Sequence, residues 1–380
     1  MPRSILLIWD HKVFIDYKSL KYILLRCRIL NWTGHYYKMR EMKPPLAARL
    51  LPAFLMLGPI SCHDRIANGS TLPASSRRLP TYSTDGRMPL DQLYSRFASL
   101  STDHGWQTDT VYAYPDDDRL PVLSWRTPLK GKAIWILAGI HGEEPAGPNA
   151  IAHTLENISA LADAGVPIVL LPMCNPKAYS KNWRYPDTPE RDWRKGGHSV
   201  GDAEYLLPDL NAGDAPRTPK PAGPDSEALT SYALRLSESY PPLLVLDLHE
   251  DELSTEGGYI YFQGSVSKNN PVGSEIIHLL RSSGIPIRLS GKTRFGEPVE
   301  DGMVSRDDQG LPIRDGSIDE LFASTHVFRN GKKIAGPAAP AVFVVETPAF
   351  SGSNLVQRVA AHSAILARVG QLWAIKSAAP

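Results

Sequence analysis

From about Leu90 onward, short apolar runs alternate with segments of helical spacing, the pattern of a layered α/β protein. Pro89–Leu100 has helical spacing. Thr108–Tyr114 and Leu120–Trp125 read as strands joined by the polar turn Pro115-Asp116-Asp117-Asp118. Lys132–Ile140 is a nearly continuous apolar run, as expected of a strand covered on both faces. Pro145–Ala162 then returns to helical spacing, with its proline acceptable in the first turn. Ile168–Met173 is a second buried strand, Ser226–Tyr240 a helix and Leu243–Leu248 a strand. Tyr259–Phe262, Gly273–Ser282, Ala341–Val345 and Asn354–Lys376 continue the alternation. Between Asn175 and Pro224 the chain reads as mostly irregular, and so long a loop usually serves binding or catalysis. There is no internal repeat.

The first 85 residues follow a different pattern. In 1–41, apolar clusters such as Ile5-Leu6-Leu7-Ile8 and Tyr22-Ile23-Leu24-Leu25 are interrupted by charges, so no continuous membrane span appears. This stretch is read as an over-long start or an unstructured extension. Residues 42–62 run from Met42-Lys43 and Arg49 through the apolar segment Leu50–Ile60 to Ser61-Cys62. A basic start, an apolar run and a small residue before cysteine have the layout of a bacterial lipoprotein signal, although Pro59 stands where such signals usually carry leucine. The expectation is an exported protein that starts at Met42 and is held in the periplasm or at the membrane by a lipid on Cys62. A buried apolar helix in a longer soluble protein is the other reading. Residues 63–85, with Asn68-Gly69-Ser70 and Pro73, read as a flexible linker, which leaves 86–380 as the catalytic domain.

Composition narrows the classes. Apolar residues make up 42% and charged residues 21%, both ordinary for a globular chain. The net charge of +1 argues against a nucleic-acid partner, which would call for a concentrated basic excess. The 33 prolines in 380 residues favour a loop-rich α/β enzyme over a helical bundle. Cys27, Cys62 and Cys174 are too few and too scattered for a disulfide framework or a cysteine zinc site.

Chemistry gathers where apolar strands end. Ala138-Gly139-Ile140-His141-Gly142-Glu143-Glu144-Pro145 lies between a buried strand and a helix, and in open α/β sheets that edge carries the site. His141 and Glu144, three residues apart, can face one ion. Val245-Leu246-Asp247-Leu248-His249 ends a second strand with histidine, and Val344-Val345-Glu346-Thr347-Pro348 ends a third with glutamate. Two histidines and a carboxylate, with water in the fourth position, form a recognised catalytic zinc set. A carboxylate at the third strand end would then serve as general base. Glu143 is the alternative ligand. His153 reads as a packing or surface residue, Glu250-Asp251-Glu252 as a solvated acidic turn or else a holder of substrate amines or a second cation, and Cys174 as a buried small apolar residue.

In this order the residues resemble the zinc carboxypeptidases of the carboxypeptidase A type, whose pattern is His-x-x-Glu, a distant His, then a Glu on a late strand. Asn175-Pro176-Lys177-Ala178-Tyr179 is similar to the family's Asn-Pro-x-Gly-Tyr/Phe turn, Gly316-Ser317-Ile318-Asp319 to its Gly-Ser-x-Asp pocket segment, and Asp209-Leu210-Asn211 to the start of Asp-x-Asn-Arg. The likeness spans roughly 132–348 and includes the His-Gly-Glu-Glu and Glu-Thr-Pro segments of a bacterial branch. It implies a three-layer α/β/α sandwich with a mixed, mostly parallel central sheet. It also implies one zinc per chain on His141, Glu144 and His249, Glu346 as base, and a peptide or peptide-like substrate. Arg184, shortly after the Asn-Pro turn, is the first candidate for oxyanion stabilisation, and Arg194 in Arg191-Asp192-Trp193-Arg194-Lys195 the second. Asp209 is a candidate to orient His141. Asn211 and Ile318 fall at substrate-binding positions of the family.

One departure bears on specificity. Ala212 stands where the family carries the arginine that holds the substrate's C-terminal carboxylate. Arg217 and Arg314 are the candidate replacements, and no capping tyrosine precedes Gly316, where Leu311 stands nearby. Hydrolysis of peptide bonds is therefore the leading expectation. An N-acyl amino acid deacylase or a peptidoglycan-peptide amidase is the alternative, and a non-catalytic zinc binder is a third reading that has no use for Glu346.

Overall fold

The structure is a computed structural model that describes residues 8–9, 12–13, 79, 82–187, 206–209, 213–217, 223–251, 254, 256–264, 270–349 and 353–378. Met1–Asn68 and Gly69–Pro380 form two units. In the first, strands β1 (Ile8–Trp9) and β2 (Lys12–Val13) pair antiparallel. The expected signal at 42–62 lies outside the described residues, as does most of 63–85. No helix among the described residues is long and apolar enough to cross a membrane.

The second unit opens with α1 (Leu90–His104), β3 (Gln107–Tyr114), β4 (Asp117–Arg126) and β5 (Ala133–Ala138). Helices α2 (Ala146–His153) and α3 (Leu155–Asp163) lead to β6 (Ile168–Leu171), the short α4 (Pro176–Tyr179) and the hairpin strands β7 (Pro208–Asp209) and β8 (Ala215–Pro216). Next come α5 (Pro224–Leu236), β9 (Pro242–Asp251), β10 (Tyr259–Gln263), α6 (Pro271–Ser282), β11 (Ser290–Lys292), β12 (Pro298–Glu300) and β13 (Met303–Val304). The chain finishes with α7 (Ile318–Ala323), β14 (His326–Arg329), β15 (Lys332–Ala335), β16 (Val342–Pro348), α8 (Leu355–Ala367) and α9 (Val369–Ala378).

Ten strands build one sheet in the order β11-β12-β13-β10-β16-β9-β5-β6-β4-β3. The central block β16-β9-β5-β6 is parallel, and antiparallel pairs flank it on both sides. Alternation along β5 makes the three layers. Ile134, Ile136 and Ala138 pack into a core with α1, α2, α3, α6 and α8. Ala133, Trp135 and Leu137 point to the opposite face, where α5 and α7 cover them with Leu229, Tyr232, Leu321 and Phe322. A strand buried on both sides has no polar face, which explains the unbroken apolar run in the sequence.

Several boundaries differ from the sequence pattern. The helix expected over Pro145–Ala162 breaks at Thr154, whose hydroxyl donates to Ala150 O at 2.8 Å and whose amide donates to Ile151 O at 3.0 Å. Such local bonds compete with the next helical turn. Strand β9 runs on to Asp251, so Glu250 and Asp251, expected in an acidic turn, are sheet, while Glu252 lies outside the described residues. The expected linker at 63–85 also changes at its end. Leu79 packs against the core, and Asp85 receives three hydrogen bonds from Arg87 side-chain donors.

The topology sets three strand ends side by side. β16, β9 and β5 are neighbours, Glu346 is in register with His249, and the loop carrying His141 leaves the carboxyl end of β5.

Candidate metal centre

The loop between β5 and α2 is shaped by two glycines. Gly139 has φ +67°, a left-handed conformation that turns the chain sharply off the strand. Gly142 lies so close to α4 that a Cβ there would come 2.2 Å from Ala178 C. Its amide donates to Arg184 O at 3.3 Å. The Glu144 amide donates to His141 O at 3.4 Å, which closes a turn that brings the two side chains together.

Glu144 is the hub. Its Oε1 lies 2.8 Å from His141 Nδ1, and its Oε2 lies 2.8 Å from His249 Nδ1. The Glu250 amide donates to the same Oε2 at 3.2 Å, and Arg184 Nη1 donates to Oε1 at 3.1 Å. The imidazole rings of His141 and His249 stand 5.0 Å apart, and the ring of Tyr185 meets His141 edge-on at 6.1 Å. Ligand atoms of His141, Glu144 and His249 all lie within 4.8 Å of one another. Zinc bonds of about 2.0–2.2 Å call for neighbouring donors about 3.3 Å apart, which lies between the 2.8 Å of the two Glu144–histidine contacts and the 4.8 Å limit of the cluster. Two imidazoles and one buried carboxylate are the donor chemistry zinc prefers, so the residues fit the ion.

Charge within the cluster is strongly coupled. Burial would raise the Glu144 carboxyl, but His141 and His249 hold it well below the usual range. Burial, followed by the charge of Arg184, lowers His141. Against burial, the carboxylates of Asp247 and Glu144 lift His249 well above its ordinary value. Burial pushes Glu346 up to about 8, with the charge of His249 pulling the other way.

The expected residues sort themselves by place. His141, Glu144, His249 and Arg184 are in contact, and Glu346 joins them through strand register. Glu143 is paired with Arg184 at 2.9 Å and stands outside the three-ligand cluster. Arg217 does not reach toward the cluster: its guanidinium forms a two-pronged pair with Glu320 and donates to Pro208 O at 3.2 Å. Glu320 in turn receives the Gly316 amide, so this arginine braces α7. Ile318 is a core residue, packed on the α5–α7 face of the sheet. Arg314 lines an open cleft with Glu297, Leu311 and Ile313, and pairs with nothing among the described residues. Arg194 and Asn211 lie outside the described residues. Asp209 sits on β7 in the β7–β8 hairpin. Glu250 is buried, accepting the Ala146 amide at 2.8 Å and a bond from Arg358, so it is neither a solvated residue nor free for an amine. Cys174 is buried as expected, and burial pushes its thiol well up. His153 is exposed in the last turn of α2.

Two residues escaped the sequence reading. Asp247 lies 3.2 Å from His249 Nε2, buried two residues before it on the same face of β9. The spacing Asp-x-His in a strand was the available signal, since residues two apart share a face. Arg87, whose guanidinium reaches Gly142 O and Tyr179 O, left no signal of its own.

Comparison with known proteins bears on the fold. Residues 130–194 match the model of the succinylglutamate desuccinylase/aspartoacylase catalytic domain. A solved structure of a "putative metallopeptidase" from Shewanella baltica superposes with a TM-score of 0.57 at 23% identity, covering 75% of this chain and 91% of that one. One of the same description from Shewanella amazonensis gives 0.56 at 21%, covering 74% and 92%. Carboxypeptidase A from Helicoverpa armigera gives 0.51 at 12%, covering 78% and 75%. The chain has the zinc-carboxypeptidase fold. No curated protein sequence matches it. In this carboxypeptidase-like fold the His141–Glu144–His249 group lies at the carboxyl ends of the central parallel strands, the edge where open α/β sheets place their ligands.

Proposed function

We propose that the protein is a zinc-dependent hydrolase of amide bonds that acts on peptides as a metallocarboxypeptidase. The observation that carries this reading is Glu346, set on β16 in register with His249 and beside the His141–Glu144–His249 cluster. When bound, a zinc ion supplies a Lewis acid for the scissile carbonyl and brings the pKa of water down towards 7. Glu346 takes the proton of the attacking water and returns it to the nitrogen as the C–N bond breaks, so one water yields one carboxylate and one amine. Arg184, held against Glu143 and Glu144, supplies positive charge for the oxyanion that develops at the carbonyl. Asp247 keeps the His249 ring oriented from behind. Arg314, which lines a cleft and pairs with no described residue, is the candidate to hold a substrate carboxylate in place of the arginine missing at Ala212.

A second reading, hydrolysis of N-acyl amino acids, is favoured by one observation. The desuccinylase/aspartoacylase match covers the stretch that holds His141, Glu144 and Arg184. Zinc-loaded protein assayed on N-blocked dipeptides, their C-terminal amides, N-acyl amino acids and muropeptides separates the readings. Cleavage of the dipeptides, with the amides resistant, is expected. Cleavage of N-acyl amino acids alone would move the assignment to a deacylase, and inertness towards all four would remove both. We also propose that the protein is exported and anchored by a lipid on Cys62, which the residue layout of 42–62 supports.

A further inference from the structure

We infer that Arg87 is a positioning residue that clamps the metal-binding loop from outside the catalytic sheet. The inference rests on the reading of His141, Glu144 and His249 as metal ligands. Arg87 precedes α1, more than fifty positions before the loop, and its side chain is fully buried. All five of its N–H donors are engaged. Nη1 donates to Gly142 O at 2.8 Å and to Tyr179 O at 2.9 Å. Nε donates to Asp85 at 2.9 Å, and Nη2 donates to Asp85 at 2.6 Å and to Asn182 Oδ1. The guanidinium lies over the Tyr179 ring at 4.6 Å and the Tyr82 ring at 5.1 Å.

Gly142 is therefore held from two sides. Its carbonyl accepts from Arg87 while its amide donates to the Arg184 carbonyl, and α4 leaves no room for it to move inward. The two peptide units flanking Gly142 join His141 to the Glu143-Glu144 pair. Their orientation fixes the directions in which the two ligands leave the backbone. The same guanidinium also ties down Tyr179 and Asn182, which begin the turn that delivers Arg184. One planar fork thus sets the ligand loop and the oxyanion arginine relative to each other. A lysine, with a single ammonium and no plane, cannot reproduce that set of directions.

The test compares wild-type protein with Arg87→Met and Arg87→Lys by two measurements that need no substrate. One is zinc affinity by chelator competition, and the other is hydrogen exchange over residues 139–149 in metal-free protein. Zinc binding is expected to weaken by about 10–100-fold, as for other residues that orient ligands. Exchange in 139–149 is expected to speed up while α6 stays unchanged, and Arg87→Lys should rescue neither. Should Arg87→Met fail to fold, Asp85→Asn and Asn182→Ala each loosen one side of the clamp and should shift both readouts in the same direction. Zinc affinity and local exchange indistinguishable from wild type would overturn the inference. So would uniform acceleration of exchange across α6 and the loop alike, which marks a merely structural arginine. If the wild type binds no zinc, the metal reading fails by itself, and the exchange comparison still decides the role of Arg87.

Discussion

Glu346 stands between two opposing influences, a desolvated position that favours the neutral carboxyl and the nearby charge of His249 that favours the carboxylate. A divalent cation at the cluster would add to the second and ready the group to accept a proton. Glu346→Gln keeps the shape and removes the basicity. Turnover should fall by ~10²–10⁴, as for a positioned acid–base group, while zinc content measured on the same sample stays near wild type. Loss of zinc together with activity would make Glu346 a ligand instead. The raised carboxyl also predicts a pH effect in metal-free protein. The folded state binds this proton more tightly than the unfolded chain does, so the contribution is fully present below the ordinary carboxyl range. It is lost as pH rises towards about 8. Urea unfolding with a chelator present should show wild type losing stability relative to Glu346→Gln across that window. A constant difference between the two would contradict the placement.

At the scale of elements, what positions the site is a set of strand and helix ends. Asn270 illustrates how local chemistry sets them. Its side chain accepts from the amides of Val272 at 2.8 Å and Gly273 at 3.3 Å, and Pro271 follows at the first helical position of α6. α6 packs Ile276 and Leu280 into the same core as Ile260 of β10 and Val345 of β16. Asn270→Ala should therefore cost about 0.5–2 kcal/mol in urea or thermal unfolding with little change in zinc affinity. A stability equal to wild type would show that the cap is not needed at that end. The alternation of strands and helices that carries the site was legible because buried parallel strands read as apolar runs. The break at Thr154 and the extension of β9 through Asp251 were not. The first depends on a hydroxyl turning back on its own helix, and the second on pairing of Thr347 and Pro348 with Glu250 and Asp251.

For the whole molecule, metal binding and folding should be linked. A ligand set drawn from two strand ends exists only in the folded chain, so zinc at ~100 times its dissociation constant should stabilise the protein by about 2.7 kcal/mol. A His141→Ala, His249→Ala double variant should lose that gain. Undiminished zinc stabilisation in the double variant would place the metal elsewhere. Export belongs to this scale too. Mass spectrometry of native protein should find a mature chain that begins at a lipid-modified Cys62. An intact chain retaining residues 1–41 would contradict it.

Order along the chain was enough to point to His141, Glu144, His249 and Glu346, because each follows or ends an apolar strand and the carboxyl ends of adjacent strands converge on one edge. Residue type and spacing carry that information without any coordinates. What they cannot carry is the partner each polar group finds across the fold. Arg217 was a plausible substrate anchor by position and became the mate of Glu320. Ile318 fell at a pocket position and became core, and Glu250 had the pattern of a surface acid and became the buried partner of Arg358. Arg87 had no motif at all. Only packing brings its guanidinium to the carbonyls of Gly142 and Tyr179, because a buried donor must find an acceptor wherever the fold supplies one, however distant in sequence.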